Sequence, residues 1–339
     1  MAAFRFVLLG TGFYARKWLE VLKSRQDCEV VGIASRMAAR AEELKRDFEL
    51  PGAAVYPGWE AGSAAGRADG VLIALPQLFH PPATIRALQA GLHVLVEKPL
   101  SLDMASARAV YEEAGRHPGL AVMVNQNYRW RPHIRALRGA IREGLVGRVG
   151  HIQIEVRQQI RRTTVGGWRE QMAEPFLLDF AIHHFDLIRH LTGDEATRVL
   201  GTSFRPSWSW FDGNSAAAAV LSMRSGSVVD FGGTMVSQGL ETTQEGAITV
   251  IGEKGTLQLD GESQVSLHGQ GDARALPQDP VPGGELGYAM TEFMGAIREN
   301  RQPETNVAEH LRSLALPLAV VESARRKAPV EMADLLSFL

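Results

Sequence analysis

Two kinds of hydrophobic pattern divide the chain. From Phe4 to Val124, short runs that are apolar throughout alternate with segments whose apolar residues recur every three to four positions. FRFVLL (Phe4–Leu9), EVVGIA (Glu29–Ala34), GVLIAL (Gly70–Leu75), LHVLV (Leu92–Val96) and LAVMV (Leu120–Val124) read as strands buried on both faces. Between them, Tyr14–Ser24 carries Ala15, Trp18, Leu19 and Leu22 at helical spacing. Ala38–Phe48, Pro81–Ala90 and Ser101–Arg116 read as further helices, the last with Ser101 placed to cap it. Strands alternating with helices predict a parallel sheet covered on both sides.

Beyond Val124 the pattern changes. After a helix over Ile134–Glu143, the segment HIQIEVRQQ (His151–Gln159) alternates polar and apolar residues. Ala216–Met223, Ser227–Gly232, Ala247–Ile251 and Thr256–Leu259 follow, separated by Gly, Ser or Asp turns. Such alternation predicts an antiparallel sheet with one wet face. Glu174–Leu191 reads as one long helix, with two more over Tyr288–Asn300 and Val307–Lys327. Pro317 is expected to kink the last of these. The stretch Gly261–Gly284, rich in Gly, Gln, Asp and Pro, reads as an exposed loop.

Composition narrows the class. The 339 residues are 45% hydrophobic and 22% charged, as in ordinary soluble two-domain proteins. A net charge of -2 creates no global field favouring nucleic acid or anionic lipid. The single cysteine, Cys28, excludes an internal disulfide framework and a multi-cysteine zinc site. No run approaches the length of a membrane span, and the N-terminus lacks a basic region followed by a cleavable apolar stretch. The expected location is the cytoplasm.

Chemistry enters at the first strand–helix junction. Gly10-Thr11-Gly12-Phe13-Tyr14-Ala15 fits GxGxxG/A. Gly10 permits the tight turn, Gly12 a close approach of backbone to pyrophosphate, and Ala15 the packing of helix on strand. The helix N-terminus then offers unpaired N–H groups to phosphate. A dinucleotide-binding Rossmann domain is the expectation. NAD sites usually end the second strand on an acid that binds the ribose hydroxyls. Here it ends Ala34-Ser35-Arg36, which suits a 2′-phosphate, so NADP is expected, with NAD as the alternative.

Lys98 follows an apolar strand at its carboxyl end, where doubly wound sheets bind ligands, and Pro99 restricts its backbone. On the long helix, Asp179, His183 and Asp186 fall at i, i+4 and i+7 and share a stripe. Leu177, Leu178, Ala181, Phe185 and Ile188 take the other side, leaving the polar stripe to face a cleft. An imidazole beside a carboxylate can move a proton during alcohol oxidation, or can be a buried pair that stabilises the helix. His184 points about 100° away from His183 and reads as structural. A metal at His183, Asp186 and His190 is geometrically possible but lacks an HExxH pattern or a cysteine partner, and none is expected. Trp168 either lines a pocket as a sugar-facing aromatic or is plain core.

At Glu97-Lys98-Pro99 the sequence resembles the glucose-fructose oxidoreductase / inositol dehydrogenase / rhizopine catabolism (Gfo/Idh/MocA) family. So do Tyr128-Arg129-Trp130-Arg131-Pro132, Gly167-Trp168-Arg169 and Asp179-Phe180-Ala181-Ile182-His183-His184-Phe185-Asp186. The segment VIGEKGTLQLD and the helical C-terminus are similar too, so the resemblance spans nearly the whole chain.

The resemblance implies an α/β fold: a doubly wound parallel Rossmann sheet over residues 1–124 and an α+β domain with an open, largely antiparallel sheet over 125–339. It implies a hydride transfer between nicotinamide and a secondary alcohol or ketone of a sugar, polyol or related compound. Lys98, His183 and Asp179 would be catalytic, His183 as acid/base and Asp179 orienting the substrate. The Lys98–Pro99 peptide would be cis. The cofactor would meet Gly10, Thr11, Gly12, Phe13, Tyr14, Ser35, Arg36, Leu75, Pro76, His80, Glu97, Lys98 and Asn127. The substrate would meet Lys98, Arg129, Trp168, Arg169, Asp179 and His183. A homodimer or homotetramer through the open sheet is implied, with no nucleic acid or membrane partner. Two other functions fit the same cleft: a dinucleotide-sensing regulator without turnover, and a reductase of a non-sugar substrate. The chain departs from the family at Glu174-Pro175-Phe176, where a glycine run is common. It departs also at Ala181 for glycine, and at Leu75 before Pro76 for Ser, Thr or Asn.

Overall fold

The computed structural model describes residues 3–165, 167–269 and 271–339. It forms two compact units, Met1–Asn127 with Pro282–Leu311 and Tyr128–Val281 with Arg312–Leu339. In the first, strands β1 (Phe4–Leu9), β2 (Cys28–Ser35), β3 (Ala54–Pro57), β4 (Gly70–Ile73), β5 (His93–Glu97) and β6 (Val122–Asn125) form a parallel sheet. Their order is β3-β2-β1-β4-β5-β6, the doubly wound arrangement whose switch point lies between β1 and β4. Phe6 to Leu9 and Val71 to Ile73 are fully buried, as strands covered on both faces must be.

Helices Phe13–Lys23, Ala38–Asp47, His80–Gln89 and Met104–Arg116 lie close to their expected places. One cap differs. Asp103, not Ser101, caps the fourth helix, accepting from Ser106 N at 2.8 Å, while Ser101 Oγ accepts from Asp103 N at 3.2 Å. Strand β3 was not expected: AVYP is four residues long and none of them is fully buried, so it carries no periodic signal.

The C-terminal segment completes this unit. Helix Gly284–Arg298 sets Phe293 against Phe4 and Phe6, with ring centroids 6.5 and 6.2 Å apart. Thr305 brackets β6, accepting from Val124 N at 2.9 Å and donating its hydroxyl to Val124 O at 2.6 Å.

The second unit holds β7 (Val149–Arg157), β8 (Ala196–Phe204), β9 (Ala216–Met223), β10 (Val228–Thr234), β11 (Ala247–Gly252), β12 (Gly255–Leu259), β13 (Val265–His268), β14 (Arg274–Ala275) and β15 (Val330–Glu331). They join as β14-β13-β12-β11-β7-β10-β9-β8-β15, with β7 and β10 parallel and the other pairs antiparallel. Alternation decides the faces: Ile152, Ile154 and Val156 of β7 are buried, while Gln153 and Glu155 point out. The stretch expected as a loop contains β13 and β14, β13 pairing with β12 and β14 with β13; Gln270 within it lies outside the described residues.

The expected single helix over Glu174–Leu191 is corrected. Pro175–Phe180 is a π-helical turn, marked by Ala181 N donating to Phe176 O at 2.6 Å. An α-helix then runs over Ile182–Thr192 and ends at Gly193, where φ is +63°. The wider turn breaks the simple i, i+4 stripe between Asp179 and His183, and π-turns of this kind recur at functional sites. Both faces of Ile182–Leu191 are buried, so the polar stripe does not lie on a wet helix surface.

Two histidines on this helix tie the fold to pH. His184 Nε2 meets Gln244 O at 2.8 Å, and burial pushes its pKa down to about 4. Burial likewise takes His190 to about 3. Between those values and the ordinary 6.5 the unfolded chain binds more protons than the folded one. Stability is therefore complete above about pH 6.5 and falls as pH drops towards 4. Thermal melts from pH 7.5 to 5 should show a falling Tm, with a shallower fall in His190→Gln; a flat profile in the parent would contradict the burial argument.

Candidate functional site

In the first unit the site is built from strand ends. Gly10 follows β1 with φ +111°, and a Cβ there would lie 2.3 Å from Ala74 O. Only glycine permits this turn. Gly12 has nothing within 4 Å of its would-be Cβ and caps helix Phe13–Lys23 without any side-chain bond. Backbone N–H groups of the first helical turn are thus left for an anion to approach closely. Ala15 is buried, as the close helix–strand packing requires, while Phe13 and Tyr14 meet edge-on at 5.6 Å beside the turn. A pyrophosphate-bearing dinucleotide fits this cradle.

At the end of β2, Ser35 Oγ accepts from Met37 N at 3.1 Å and lies 3.5 Å from Thr11 Oγ1. The exposed Arg36 guanidinium lies 6.0 Å from the Phe79 ring centroid. No carboxylate ends this strand.

Two of the expected cofactor contacts, His80 and Glu97, have hydrogen-bond partners within the first unit. His80 directs Nδ1 to Pro99 O at 2.7 Å and Nε2 to Leu75 O at 2.8 Å, tying the segments after β4 and β5 together with both ring nitrogens. Glu97 is buried, and its Oε1 accepts from Trp18 Nε1 at 2.7 Å and Asn125 Nδ2 at 2.9 Å. Burial raises its pKa, while the bonds from Trp18 and Asn125 oppose that rise. The next residue, Lys98, is half-buried, and the Lys98–Pro99 peptide is cis. Pro76 opens the short turn Gln77–Phe79, and Asn127 is buried just beyond β6. His310, on the helix beginning at Val307, accepts from Leu100 N at 3.2 Å and so steadies the segment after Lys98. No local pattern marks it, since its partner is 210 residues away.

In the second unit, Asp179 accepts from Arg169 Nε at 2.8 Å, and the Arg169 guanidinium lies 4.4 Å from the Trp168 ring centroid. Trp168 is 38% exposed, so it is not core. The expected substrate residues Trp168, Arg169 and Asp179 are therefore one contiguous group. His183, 3% exposed, stacks on Tyr128 at 3.9 Å with 7° between the ring planes. His184, offset from it on the helix, is buried and meets Gln244 O at 2.8 Å.

Arg129, expected as a substrate contact, is held by an ion pair within the second unit. Its Nε and Nη2 donate to Asp186 at 2.6 and 2.7 Å, and both side chains are only 2% exposed. The departure at Glu174 also finds a cause. Its Oε1 accepts from Asn214 Nδ2 at 2.8 Å and Ser203 Oγ at 3.0 Å, pinning the approach to the π-turn where a glycine run would leave it loose. Gly213 fits beneath because a Cβ there would sit 2.1 Å from Met172 O. Sequence reading missed Tyr128, Gln244 and Glu245 as neighbours of the two adjacent histidines, because Tyr128 and Gln244, 116 positions apart, leave no periodic trace.

Comparison with known proteins agrees with this geometry. Residues 4–126 match the oxidoreductase family with an NAD-binding Rossmann fold, and residues 134–258 match the GFO/IDH/MocA C-terminal domain. The chain is 27% identical over 348 residues to D-apiose dehydrogenase of Paraburkholderia graminis, covering 98% of this chain and 90% of that one. It is 26% identical over 285 residues to inositol 2-dehydrogenase of Rhizobium meliloti, covering 82% and 77%. An oxidoreductase from Agrobacterium radiobacter, solved with NAD+, L-tartaric acid and magnesium, has the same fold, with a TM-score of 0.91 and 19% identity over 99% of this chain and 100% of that one. With its doubly wound nucleotide cradle, its Lys98 at a strand end and both halves matched, the chain belongs to the Gfo/Idh/MocA family of oxidoreductases acting on CH–OH groups.

Proposed function

We propose that the protein interconverts a secondary alcohol and a ketone of a sugar or polyol, with NADP preferred over NAD. The observation that carries this reading is Lys98 at the carboxyl end of β5, in the same doubly wound sheet as the Gly10–Gly12 cradle. The dinucleotide, when bound, supplies or accepts hydride at nicotinamide C4. The chain's residues handle the proton and the charge. His183 takes the hydroxyl proton as the alcohol is oxidised and returns it in reduction. The Lys98 ammonium stabilises the alkoxide that develops. Asp179, fixed by Arg169, orients the substrate hydroxyls, and Trp168 offers an aromatic face to the sugar's C–H surface. The preference for NADP rests on Ser35 and the exposed Arg36 standing where NAD enzymes carry an acid.

A homodimer or homotetramer is part of the same proposal. Leu200 and Phe204 of β8, Val220 of β9, Val228 of β10 and Ile251 of β11 are exposed on the second unit's sheet. A second copy would cover that surface.

One set of measurements tests these points. D-apiose, myo-inositol and 1,5-anhydro-D-fructose, substrates suggested by the names of relatives, are assayed with both dinucleotides. Turnover is expected with at least one pair, with kcat/KM higher for the NADP couple. Arg36→Leu should raise KM for the phosphorylated dinucleotide about 10- to 100-fold, the worth of one charge-assisted hydrogen bond, and leave NAD nearly unaffected. Light scattering should give about two or four times the 37.0 kDa of one chain. Absence of turnover, equal use of both dinucleotides or a monomer would each remove the corresponding part.

A further inference from the structure

We propose that Tyr128 and Arg131 are positioning residues for the His183 imidazole; the inference rests on His183 being the acid/base. His183 sits in the first turn of the helix Ile182–Thr192, directly after the π-turn. A first helical turn has few backbone bonds of its own to hold it. The restraint comes from outside the helix. Tyr128 lies parallel to the imidazole at 3.9 Å and 7°. The Arg131 guanidinium stands 3.7 Å from the same phenol ring centroid. Two groups at such distances cannot share one face, so the phenol ring is sandwiched between imidazole and guanidinium. A cation over a tyrosine face is attracted by the ring quadrupole, which holds the sandwich together.

The sandwich is anchored in turn. Glu245 accepts from Arg131 Nη1 and, at 2.9 Å, from His133 Nε2, and its carboxylate side chain is 4% exposed. Burial opposes its charge, yet His133 and Arg131 hold its pKa well below the usual carboxylate range, so the anchor stays ionised near neutrality. The preceding residue closes the frame: Tyr128 Oη donates to Gln244 Oε1 at 3.4 Å, and Gln244 O meets His184 Nε2 at 2.8 Å. The Gln244–Glu245 backbone thus fixes Tyr128 through Arg131 on one side and the helix through His184 on the other. A stacked ring keeps its plane, and with it the direction in which its nitrogens point. Misplacing a reacting group by about 1 Å can cost on the order of 10²-fold in rate.

The test is a set of variants in the full-length protein, assayed on the fastest substrate among D-apiose, myo-inositol and 1,5-anhydro-D-fructose. Tyr128→Leu should lower kcat about 10²-fold, with KM for the dinucleotide within about twofold of the parent. Tyr128→Phe, which keeps the ring, should restore most of the rate. Arg131→Met, at a less buried site, should lower kcat about tenfold, the worth of one partly desolvated cation–π contact. In a His183→Asn background neither change should lower the residual rate further, because the group they position is gone. A folded Tyr128→Leu or Arg131→Met with parental kcat overturns the proposal, as does an equal additional loss on His183→Asn. If Tyr128→Leu does not fold, Arg131→Met alone decides. Parental turnover in His183→Asn itself would instead sink the assignment of the acid/base.

Discussion

Replacing His183 by asparagine should lower kcat by about 10²–10⁴-fold while leaving dinucleotide affinity near that of the parent. Asparagine keeps a similar volume and one hydrogen-bonding nitrogen, but it cannot take a proton at neutral pH. What is lost is therefore proton transfer and not the shape of the site. Lys98→Met is the companion variant. It preserves the length of the half-buried side chain after β5 and removes the ammonium that would meet a developing alkoxide. Its loss should fall mainly on kcat, because the charge it answers exists chiefly in the transition state. The two effects should combine less than additively, since both serve a single transition state. Dinucleotide affinity, followed by nucleotide fluorescence, separates a catalytic loss from a damaged cradle. Parental turnover in either variant would show that the reaction does not pass through these residues.

The parts of this site that the sequence declares are those that depend on local geometry. Gly10 and Gly12 are recognisable because a tight turn between a strand and a helix needs them at that spacing. Strands β1, β2, β4, β5 and β6 are legible because both of their faces are buried, so each is a continuous apolar run. The helix of His183 was placed but the turn before it was not, since one π-turn inserts a single residue into the helical spacing, too short a disturbance to stand out in the apolar pattern. His80 and Glu97 were expected at the cofactor from the family resemblance alone. Their partners, the carbonyls of Leu75 and Pro99 and the indole of Trp18, emerge only when the sheet closes. Glu245 and His310 are less legible still, because each is defined by contacts more than a hundred residues away.

Arg129→Met should be the most destabilising single change in the second unit, by about 3–5 kcal/mol, because it leaves a buried carboxylate without its cation. Asp186 accepts the Arg129 fork and, at 2.7 Å, the Ser313 hydroxyl. Arg189 donates to the same hydroxyl at 2.8 Å and reaches Glu195 at 2.7 and 2.6 Å, so the pair belongs to a satisfied network. Burial alone would push the Asp186 carboxyl up, but Arg129 and the hydrogen bonds hold it at about 2. The folded pKa lies below the ordinary 3.8, so the contribution of this carboxylate is complete above that value and is lost as pH falls towards 2. Urea unfolding at pH 7 measures the cost. Asp186→Leu alone should be similarly harmful, since it leaves the guanidinium buried and unpaired. The double variant Arg129→Met/Asp186→Leu should recover much of the loss, because two apolar side chains of similar volume need no partners. The same proteins test whether Arg129 also meets the substrate. Where Arg129→Met is still folded, its substrate KM should match the parent's within about twofold, whereas a direct contact with a substrate hydroxyl would raise KM by roughly tenfold or more. A cost below about 1 kcal/mol would mean that solvent reaches the pair and that its burial contributes little.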